Sequence, residues 1–208
     1  MRTTLERIEI AGPGSKARRL VFDDGLDPRM TSAAAVKELG LVSEMVISRE
    51  DLERSLAEVE PALAKDRALR LLGYREHSAS ELSRKLQDNG YPRALSEAIT
   101  QRYVDVELID DGRFAASWVR SRVSAGYGTR RIKQELAQRG VDPEVIDEAI
   151  TDAVDPEGEV ARARRSLGRR SAQDRAGRDK LVRRLVARGF SLSVALAALQ
   201  GDSFDGDD

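Results

Sequence analysis

The chain repeats one short pattern of apolar residues and glycine three times. Each copy has an aliphatic residue, a leucine four positions later, a glycine four positions after that leucine, and then an apolar residue. The copies are Leu82-Leu86-Gly90-Tyr91, Ile132-Leu136-Gly140-Val141 and Leu181-Leu185-Gly189-Phe190. Two aliphatic residues four apart share a helix face, and glycine suits the left-handed residue that ends a helix. The copies begin 50 and 49 residues apart, a period typical of stacked helical modules.

Each copy predicts three helices. The first copy predicts a short helix over residues 66–72, a second helix capped by Ser78, and a third that starts near Pro92. The second copy opens with a helix that carries Phe114 and Trp118 one turn apart. We expect this tryptophan to pack in the core rather than to serve as a base-stacking platform.

The third copy is looser than the other two. The apolar stripe of its first predicted helix, near residues 160–167, is weak. An arginine-rich segment over residues 168–177 follows, and we interpret it as a mobile loop. The residues after Gly201 are too polar to fold on their own.

The N-terminal part of the chain has a different pattern. Residues 1–31 predict two strands, because apolar and charged residues alternate there and residues 12–14 supply a Gly-Pro-Gly turn. A short helix is expected over residues 33–39, and another begins at Ser48. Pro61 marks the predicted boundary with the helical repeats.

These patterns predict a mainly α fold. Three tandem three-helix repeats would form an elongated, curved body, preceded by a small N-terminal element of a β-hairpin and short helices. The predicted ranges are 1–61 for the N-terminal element, 62–111, 112–157 and 158–201 for the repeats, and 202–208 for an acidic disordered tail.

Charge is distributed unevenly along the chain. Its net charge is only −1, but residues 113–139 carry a net charge of +6 and residues 162–188 carry +9. The last seven residues include four aspartates and no basic residue. Two local basic blocks of this kind favour binding to a polyanion or to an acidic protein surface.

The residue types that most catalytic and metal sites require are scarce. The chain has no cysteine and one histidine, His77, which we interpret as an ordinary surface residue in a loop. The glycine-containing segments lack the lysine that a phosphate loop needs. We therefore predict no enzyme activity, no cofactor and no metal. No segment is apolar and long enough for a membrane span, so we expect a cytoplasmic protein, and we expect it to be a monomer.

Basic residues on the predicted helices are the remaining candidates for function. The candidate binding residues are Arg120, Arg122, Arg130, Arg131, Lys133, Arg84, Lys85, Arg183, Arg184 and Arg188. The first five could share one surface of the second repeat. The middle copy has Gln134 and Glu135 where the other copies have basic pairs, so a continuous basic stripe is not expected. Guanidinium groups bind phosphates and carboxylates alike, and the alternative that these residues form a merely solvated surface stays open.

Several segments resemble the RecX family of recombinase regulators. The most specific is 108–140, which includes Leu-Ile-Asp-Asp at 108–111 and the sequence GTRRIKQELAQRG at 128–140. The segments 68–72, 80–82, 85–86 and 90–91 also match the family pattern. The resemblance covers residues 66–154 well and 160–200 weakly.

The resemblance implies a fold of three tandem three-helix repeats. It also implies a non-enzymatic protein that binds the RecA recombinase, alone or as a filament on single-stranded DNA. Such a protein would restrain ATP hydrolysis, strand exchange and stimulated repressor cleavage, and would thereby modulate DNA repair and the SOS response. A sequence-independent DNA-binding repeat protein is the alternative.

Overall fold

The computed structural model describes residues 2–168, 170–171 and 174–200 of the 208-residue chain. These residues form four strands and ten helices. They belong to two compact units, Met1–Asp110 and Asp111–Asp208. The prediction of a mainly α protein with a small β element ahead of its three-helix repeats is confirmed. The predicted tail over residues 202–208 lies outside the described residues.

A four-stranded antiparallel sheet begins the first unit. Its strands are β1 (Arg2–Ile10), β2 (Ala17–Phe22), β3 (Arg29–Ser32) and β4 (Met45–Ser48), in the spatial order β3-β2-β1-β4. Helix α1 (Ala33–Glu38) connects β3 to β4. The predicted two-stranded hairpin corresponds to β1 and β2 and is incomplete, because β3 and β4 were missed. Each of these has only four residues, too few to show the alternation that marks β1.

Helix α2 (Arg49–Tyr74) contributes to two cores. Leu52 packs with the sheet, whereas Ala68 packs with the helices that follow. The structure corrects one prediction here, since the separate short helix expected over 66–72 is the end of a longer helix that contains Pro61. Proline removes one N–H donor from a helix, and burial of residues on both sides of Pro61 offsets that loss.

Helices α3 (Ala79–Asp88) and α4 (Arg93–Asp105) pack against the second half of α2 and form the first three-helix group. Ser78 caps α3, because its hydroxyl oxygen accepts the N–H of Glu81 at 3.1 Å. Leu82 and Leu86 of the repeated pattern are fully buried. The helical period therefore places both leucines in the core of this group.

Gly90 brings the first three-helix group against the sheet. Its φ of +94° lies in the left-handed region, as expected for a glycine that follows a helix. A Cβ on Gly90 would also lie 2.1 Å from the carbonyl oxygen of Thr31 in β3. The missing side chain is thus required both by the backbone conformation and by the close approach of another strand.

The second unit begins with α5 (Asp111–Ser124), α6 (Thr129–Gln138) and α7 (Pro143–Ala153). These helices form the second three-helix group, with Phe114, Ile132 and Leu136 in its core. Trp118 packs against that core and is partly buried. The side chain of Asp142 accepts the N–H of Glu144 at 2.9 Å and thereby caps α7.

The third three-helix group consists of α8 (Pro156–Leu167), α9 (Arg175–Ala187) and α10 (Leu192–Ala198). Leu181 and Leu185 of the repeated pattern are buried in its core with Phe190. The loop predicted over 168–177 is shorter than expected, because α9 already begins at Arg175. Residues 169, 172 and 173 of that predicted loop lie outside the described part of the chain.

The second and third groups meet at two glycines. The N–H of Gly128 donates to the carbonyl oxygen of Arg188, and the N–H of Arg130 donates to that of Gly189, each at 3.0 Å. A Cβ on Gly128 would lie 2.2 Å from the nitrogen of Phe190. We call this contact between the two backbones the Gly128–Gly189 junction.

A carboxylate from α8 strengthens the Gly128–Gly189 junction. Glu159 accepts hydrogen bonds from the backbone N–H of Thr129 at 2.9 Å and from its hydroxyl at 2.6 Å. The third group therefore supplies the N-terminal cap of α6 in the second group. Because backbone and side-chain contacts both cross the junction, the two groups form one packed body within the second unit.

We expect Gly90→Ala to destabilise the protein by roughly 2–5 kcal/mol, because the new Cβ meets the Thr31 carbonyl and the left-handed backbone disfavours alanine. Gly73→Ala is the matched control. Gly73 lies inside α2 with open space around its Cα. Alanine at this position should therefore raise the free energy of unfolding of the protein by about 0.5–1 kcal/mol. Urea unfolding measures both variants, and equal stabilities would contradict the close contact at Gly90.

Candidate binding interface

The five basic residues predicted to share a surface on α5 and α6 fall into two classes. Arg120 and Arg130 are exposed, and no carboxylate of the described residues lies within ion-pair distance of either. Arg122, Arg131 and Lys133 have acidic partners instead. The Nζ of Lys133 lies 2.5 Å from Asp147 on α7. Only part of the predicted surface therefore has donors available for a partner.

Glu135 holds two of these arginines. Its carboxylate accepts hydrogen bonds from Arg122 Nε at 2.6 Å and from Arg131 Nε at 3.0 Å. It also accepts one from the indole nitrogen of Trp118 at 3.1 Å. Burial alone would raise the pKa of Glu135, but the neighbouring Arg131 and Arg122 outweigh that effect and lower it. Glu135 is thus a charged acceptor at neutral pH.

Aromatic rings complete this arrangement. The guanidinium of Arg139 lies 3.8 Å from the ring centroid of Trp118, and that of Arg122 lies 4.3 Å from it. Arg131 covers the ring of Tyr127 at 4.5 Å. We call these side chains together with Glu135 the Glu135 cluster. With two arginines over its ring, Trp118 is a packing residue rather than an exposed platform for a nucleic-acid base.

The remaining candidates lie on α3 and α9. Arg84 and Lys85 belong to the first unit, where Arg84 is exposed and Lys85 is half-buried. Arg183 and Arg184 are exposed on α9 of the second unit, without an ion pair to any described acidic residue. Arg188 is half-buried, and its Nη1 donates to the carbonyl oxygen of Ser166 at 3.2 Å.

A groove of about 600 Å³ separates α6 from the end of α9. Five residues of α6 line it, together with three residues at and after the end of α9: Arg130, Arg131, Gln134, Glu135, Gln138, Val186, Ala187 and Gly189. We call it the α6–α9 groove. Its long polar side chains can donate and accept hydrogen bonds, and its charged residues are Arg130 and the ion pair of Arg131 with Glu135. This arrangement suits the side chains of a bound protein or the backbone of a nucleic acid.

Sequence reasoning missed the residues that organise this surface. Tyr127 and Arg139 were not identified as functional, and Glu135 was noted only as a break in a basic stripe. The spacing of Arg131 and Glu135, four residues apart on one helix, was an available signal for an ion pair. The pairing of Glu135 with Arg122 depends on the packing of α5 against α6, which the sequence does not show.

The single histidine is placed differently from the prediction. His77 is 4% exposed rather than on the surface, and its Nδ1 lies 3.0 Å from Glu81 Oε2. Burial is the main cause of the lowered pKa of His77. Burial would raise the pKa of Glu81, but the hydrogen bonds from Arg75 and the close approach of His77 lower it to about 2. We call these three side chains the Glu81 cluster, and it stabilises the start of α3.

The described residues include no group of three potential metal-ligating side chains that could hold an ion. Among them, no helix has the length and apolar character that crossing a membrane requires.

Comparison with known proteins identifies relatives of both units. The model of the first three-helix domain of RecX matches residues 64–102, and the model of its second three-helix domain matches residues 110–150. A regulatory protein RecX from Mycolicibacterium smegmatis is 42% identical over 142 residues, which span 64% of this chain and 75% of that protein. The corresponding protein from Halorhodospira halophila is 41% identical over 145 residues, spanning 68% and 89%.

A solved structure extends the similarity over nearly the whole chain. A crystal structure of regulatory protein RecX has 25% sequence identity and a TM-score of 0.61. The alignment covers 94% of this chain and 98% of that one. The similarity therefore reaches beyond the two domains that the family models match.

We expect Glu135→Ala to destabilise the second unit by about 1–3 kcal/mol, because it removes charge-assisted hydrogen bonds from a mostly buried acceptor. Glu148→Ala, at an exposed position on α7, is the control and should change stability by no more than about 0.5 kcal/mol. Thermal unfolding followed by circular dichroism compares them. Equal melting temperatures would mean that the Glu135 cluster does not stabilise the fold.

The Glu81 cluster should make stability depend on pH in acid. The pKa of Glu81 is about 2 in the folded protein, below its ordinary value of 4.5. Its contribution is therefore complete above about pH 4.5 and is lost as the pH falls toward 2. Denaturant unfolding across this range should show a smaller loss for Glu81→Gln than for the unmodified chain. The control Glu97→Gln, which removes only an exposed partner of Arg93, should lose as much stability as the unmodified chain.

Proposed function

Because the chain belongs to the RecX family of regulatory proteins, we propose that it binds the RecA recombinase, alone or as a filament on single-stranded DNA. In this proposal it restrains the recombinase's ATP hydrolysis, strand exchange and stimulation of repressor cleavage. DNA repair and the SOS response are then modulated by the extent of that binding. It acts as a monomer in the cytoplasm and does so by binding rather than by catalysis.

The observation that supports this proposal best is the set of unpaired arginines on the second unit. Arg120, Arg130, Arg183 and Arg184 are exposed, and they form no ion pair with a described acidic residue. An exposed guanidinium offers several donors in one plane and binds carboxylates or phosphates bidentately. A recombinase filament presents both groups, on its protein surface and on its DNA.

The Glu135 cluster supports the same proposal in a different way. Within it, the Glu135 carboxylate accepts hydrogen bonds from Arg122 and Arg131. These two arginines are therefore engaged inside the protein, and the bond from Arg122 on α5 to Glu135 on α6 holds the two helices together. The neighbouring Arg130 is left outside that network, although it lines the α6–α9 groove beside Arg131 and Glu135. Binding to the recombinase is therefore assigned to Arg120 and Arg130, and structural support to Arg122 and Arg131.

We expect Arg120→Glu combined with Arg130→Glu to weaken inhibition of the recombinase. The substitutions reverse two exposed charges without breaking a described ion pair, so the fold should be retained. The concentration that half-inhibits the DNA-dependent ATPase of the cognate recombinase should rise by about tenfold or more, a loss of about 1.4 kcal/mol. Arg131 is left unchanged, because its reversal would also disturb Glu135 and Tyr127.

Arg102→Glu is the control for this experiment. Arg102 is exposed on α4 of the first unit. Arg102→Glu makes the same arginine-to-glutamate change as the test variant, at one position instead of two, and should leave inhibition unaltered. Full inhibition by a well-folded double variant would exclude the α5–α6 surface. No inhibition by the unmodified protein, at any ratio and in low salt, would contradict the proposed function itself.

A further inference from the structure

A cleft of about 530 Å³ lies beside α9 in the third three-helix group. Some of its described lining residues precede the helix and the others belong to it. They are Arg170, Ser171, Gly177, Lys180, Leu181 and Arg184. We call it the α9 cleft. Because its lining combines basic, small polar and apolar residues, a ligand that fits it needs both negative charge and an apolar group.

The basic residues of the α9 cleft have no described carboxylate partner. Arg170, Lys180 and Arg184 are exposed, and none of them forms an ion pair with a described acidic residue. Asp174 and Asp179, the acidic residues closest to them in sequence, are not among the described residues that line the cleft. Three positive charges therefore share one cleft whose described lining has no negative charge, and an acidic segment would be attracted to it.

An apolar residue lies among these charges. Leu181 is 7% exposed, belongs to the core of the third group and also lines the α9 cleft. Lys180 precedes it in α9, and Arg184 follows it three positions later. Since residues three apart lie on one helix face, Leu181 and Arg184 face a ligand together. A ligand with one apolar group and a carboxylate on either side of that group is complementary to this face.

The chain itself contains such a segment in residues 202–208, which lie outside the described part. This segment includes four aspartates and no basic residue. Phe204 is its one large apolar residue, with Asp202 two positions before it and Asp205 directly after it. Carboxylates form charge-assisted hydrogen bonds with guanidinium and ammonium groups. The segment therefore matches the α9 cleft both in charge and in the apolar residue between the charges.

Helix α10 brings the chain to the same core that Leu181 belongs to. Leu199, the residue after α10, is buried in that core. Arg164 Nε donates to the carbonyl oxygen of Ala198 at 3.2 Å, which fixes the end of α10 against α8. A helix with its side chains is about 10–12 Å across, whereas residues 201–208 span up to roughly 26–29 Å when extended. Their length is thus sufficient to reach the cleft while every described helix stays in place.

We propose that residues 202–208 bind in the α9 cleft of the same chain. Aspartates of the segment contact Lys180 and Arg184, and Phe204 contacts Leu181. Exposed ion pairs are individually weak, but a short tether gives the segment an effective concentration on the order of millimolar. Binding within one chain therefore needs less affinity than binding between two copies. The bound segment covers Arg184.

The first test uses the full chain and a water-soluble carbodiimide, which joins a carboxylate to a neighbouring amine with loss of water. Peptide mass spectrometry should find the amine of Lys180 joined to an aspartate of residues 202–208. The ion pair of Lys133 with Asp147, at 2.5 Å, should be joined in the same sample and shows that the reaction worked. Lys180→Arg keeps the positive charge and removes the amine, so this variant should lose only the first product.

Two outcomes of the coupling experiment would overturn the proposal. One is a product between Lys133 and Asp147 without any product between Lys180 and residues 202–208. The other is seen when isotopically labelled and unlabelled chains are mixed before coupling. Products that join a labelled to an unlabelled peptide would mean that the segment binds a second copy of the chain, whereas products within one label support binding in the same chain.

A second test measures whether the segment covers Arg184. A full-length variant carries asparagine at all four aspartates: Asp202→Asn, Asp205→Asn, Asp207→Asn and Asp208→Asn. Phenylglyoxal should modify Arg184 several-fold faster in this variant than in the unmodified protein. Arg183 is the matched control, because it is exposed on the same helix and is not among the described residues that line the cleft. Its rate should stay the same, and equal rates for Arg184 in the two proteins would contradict the cover.

A regulatory consequence of this binding rests on the proposed function. Arg184 is one of the exposed arginines that support binding to the recombinase, so the bound segment competes with that partner. The asparagine variant should then half-inhibit the recombinase ATPase at a concentration several-fold lower than the unmodified protein does, and an unchanged concentration would contradict the competition. The coupling and phenylglyoxal measurements contain no recombinase. Their failure is therefore distinct from a failure of the proposed function, in which the unmodified protein does not inhibit at all.

Discussion

The close approach of one backbone to another at a glycine is the constraint on which this structure depends. Gly90 and Gly189 hold the same position in two copies of the repeated pattern, and both have positive φ values. In the first unit, Gly90 meets the carbonyl of Thr31; in the second, Gly189 meets Arg131. One small residue thus ends a helix and admits a neighbouring segment, so in these two copies the pattern specifies a contact with a neighbouring segment as well as the internal fold of the helical group.

The same packing decides which arginines are available to a partner. The sequence of α6 contains Arg130, Arg131 and Lys133 close together, and residues 113–139 have a strong positive charge. In the folded unit, Glu135 binds Arg131 and Arg122, whereas Arg130 remains outside. A charge-assisted hydrogen bond to a partly buried carboxylate stabilises more than an exposed ion pair does. Net charge along the chain therefore overestimates the positive charge that a partner meets.

Short-range sequence patterns predicted much of the fold but little of the candidate binding interface. The start of α7 at Asp142 and the burial of Leu136 both follow from short-range rules of capping and helical period. The length of α2 could not be predicted from these rules. Residues of α2 are buried in two separate cores, and this burial outweighs the tendency of a proline such as Pro61 to end a helix. The contacts of Glu135 and Arg162 did not follow either, since their partners lie on other elements at separations that no local pattern encodes.

The Gly128–Gly189 junction lies between two grooves of the second unit. Gly189 lines the α6–α9 groove, and Arg188, the residue before it, lines a second groove together with Arg162 and Arg165 of α8. Because backbone hydrogen bonds fix residues 188 and 189 against residues 128 and 130, the spacing of the two grooves is set by the fold rather than by flexible side chains. A partner that occupies both grooves meets preorganised donors and loses less entropy on binding.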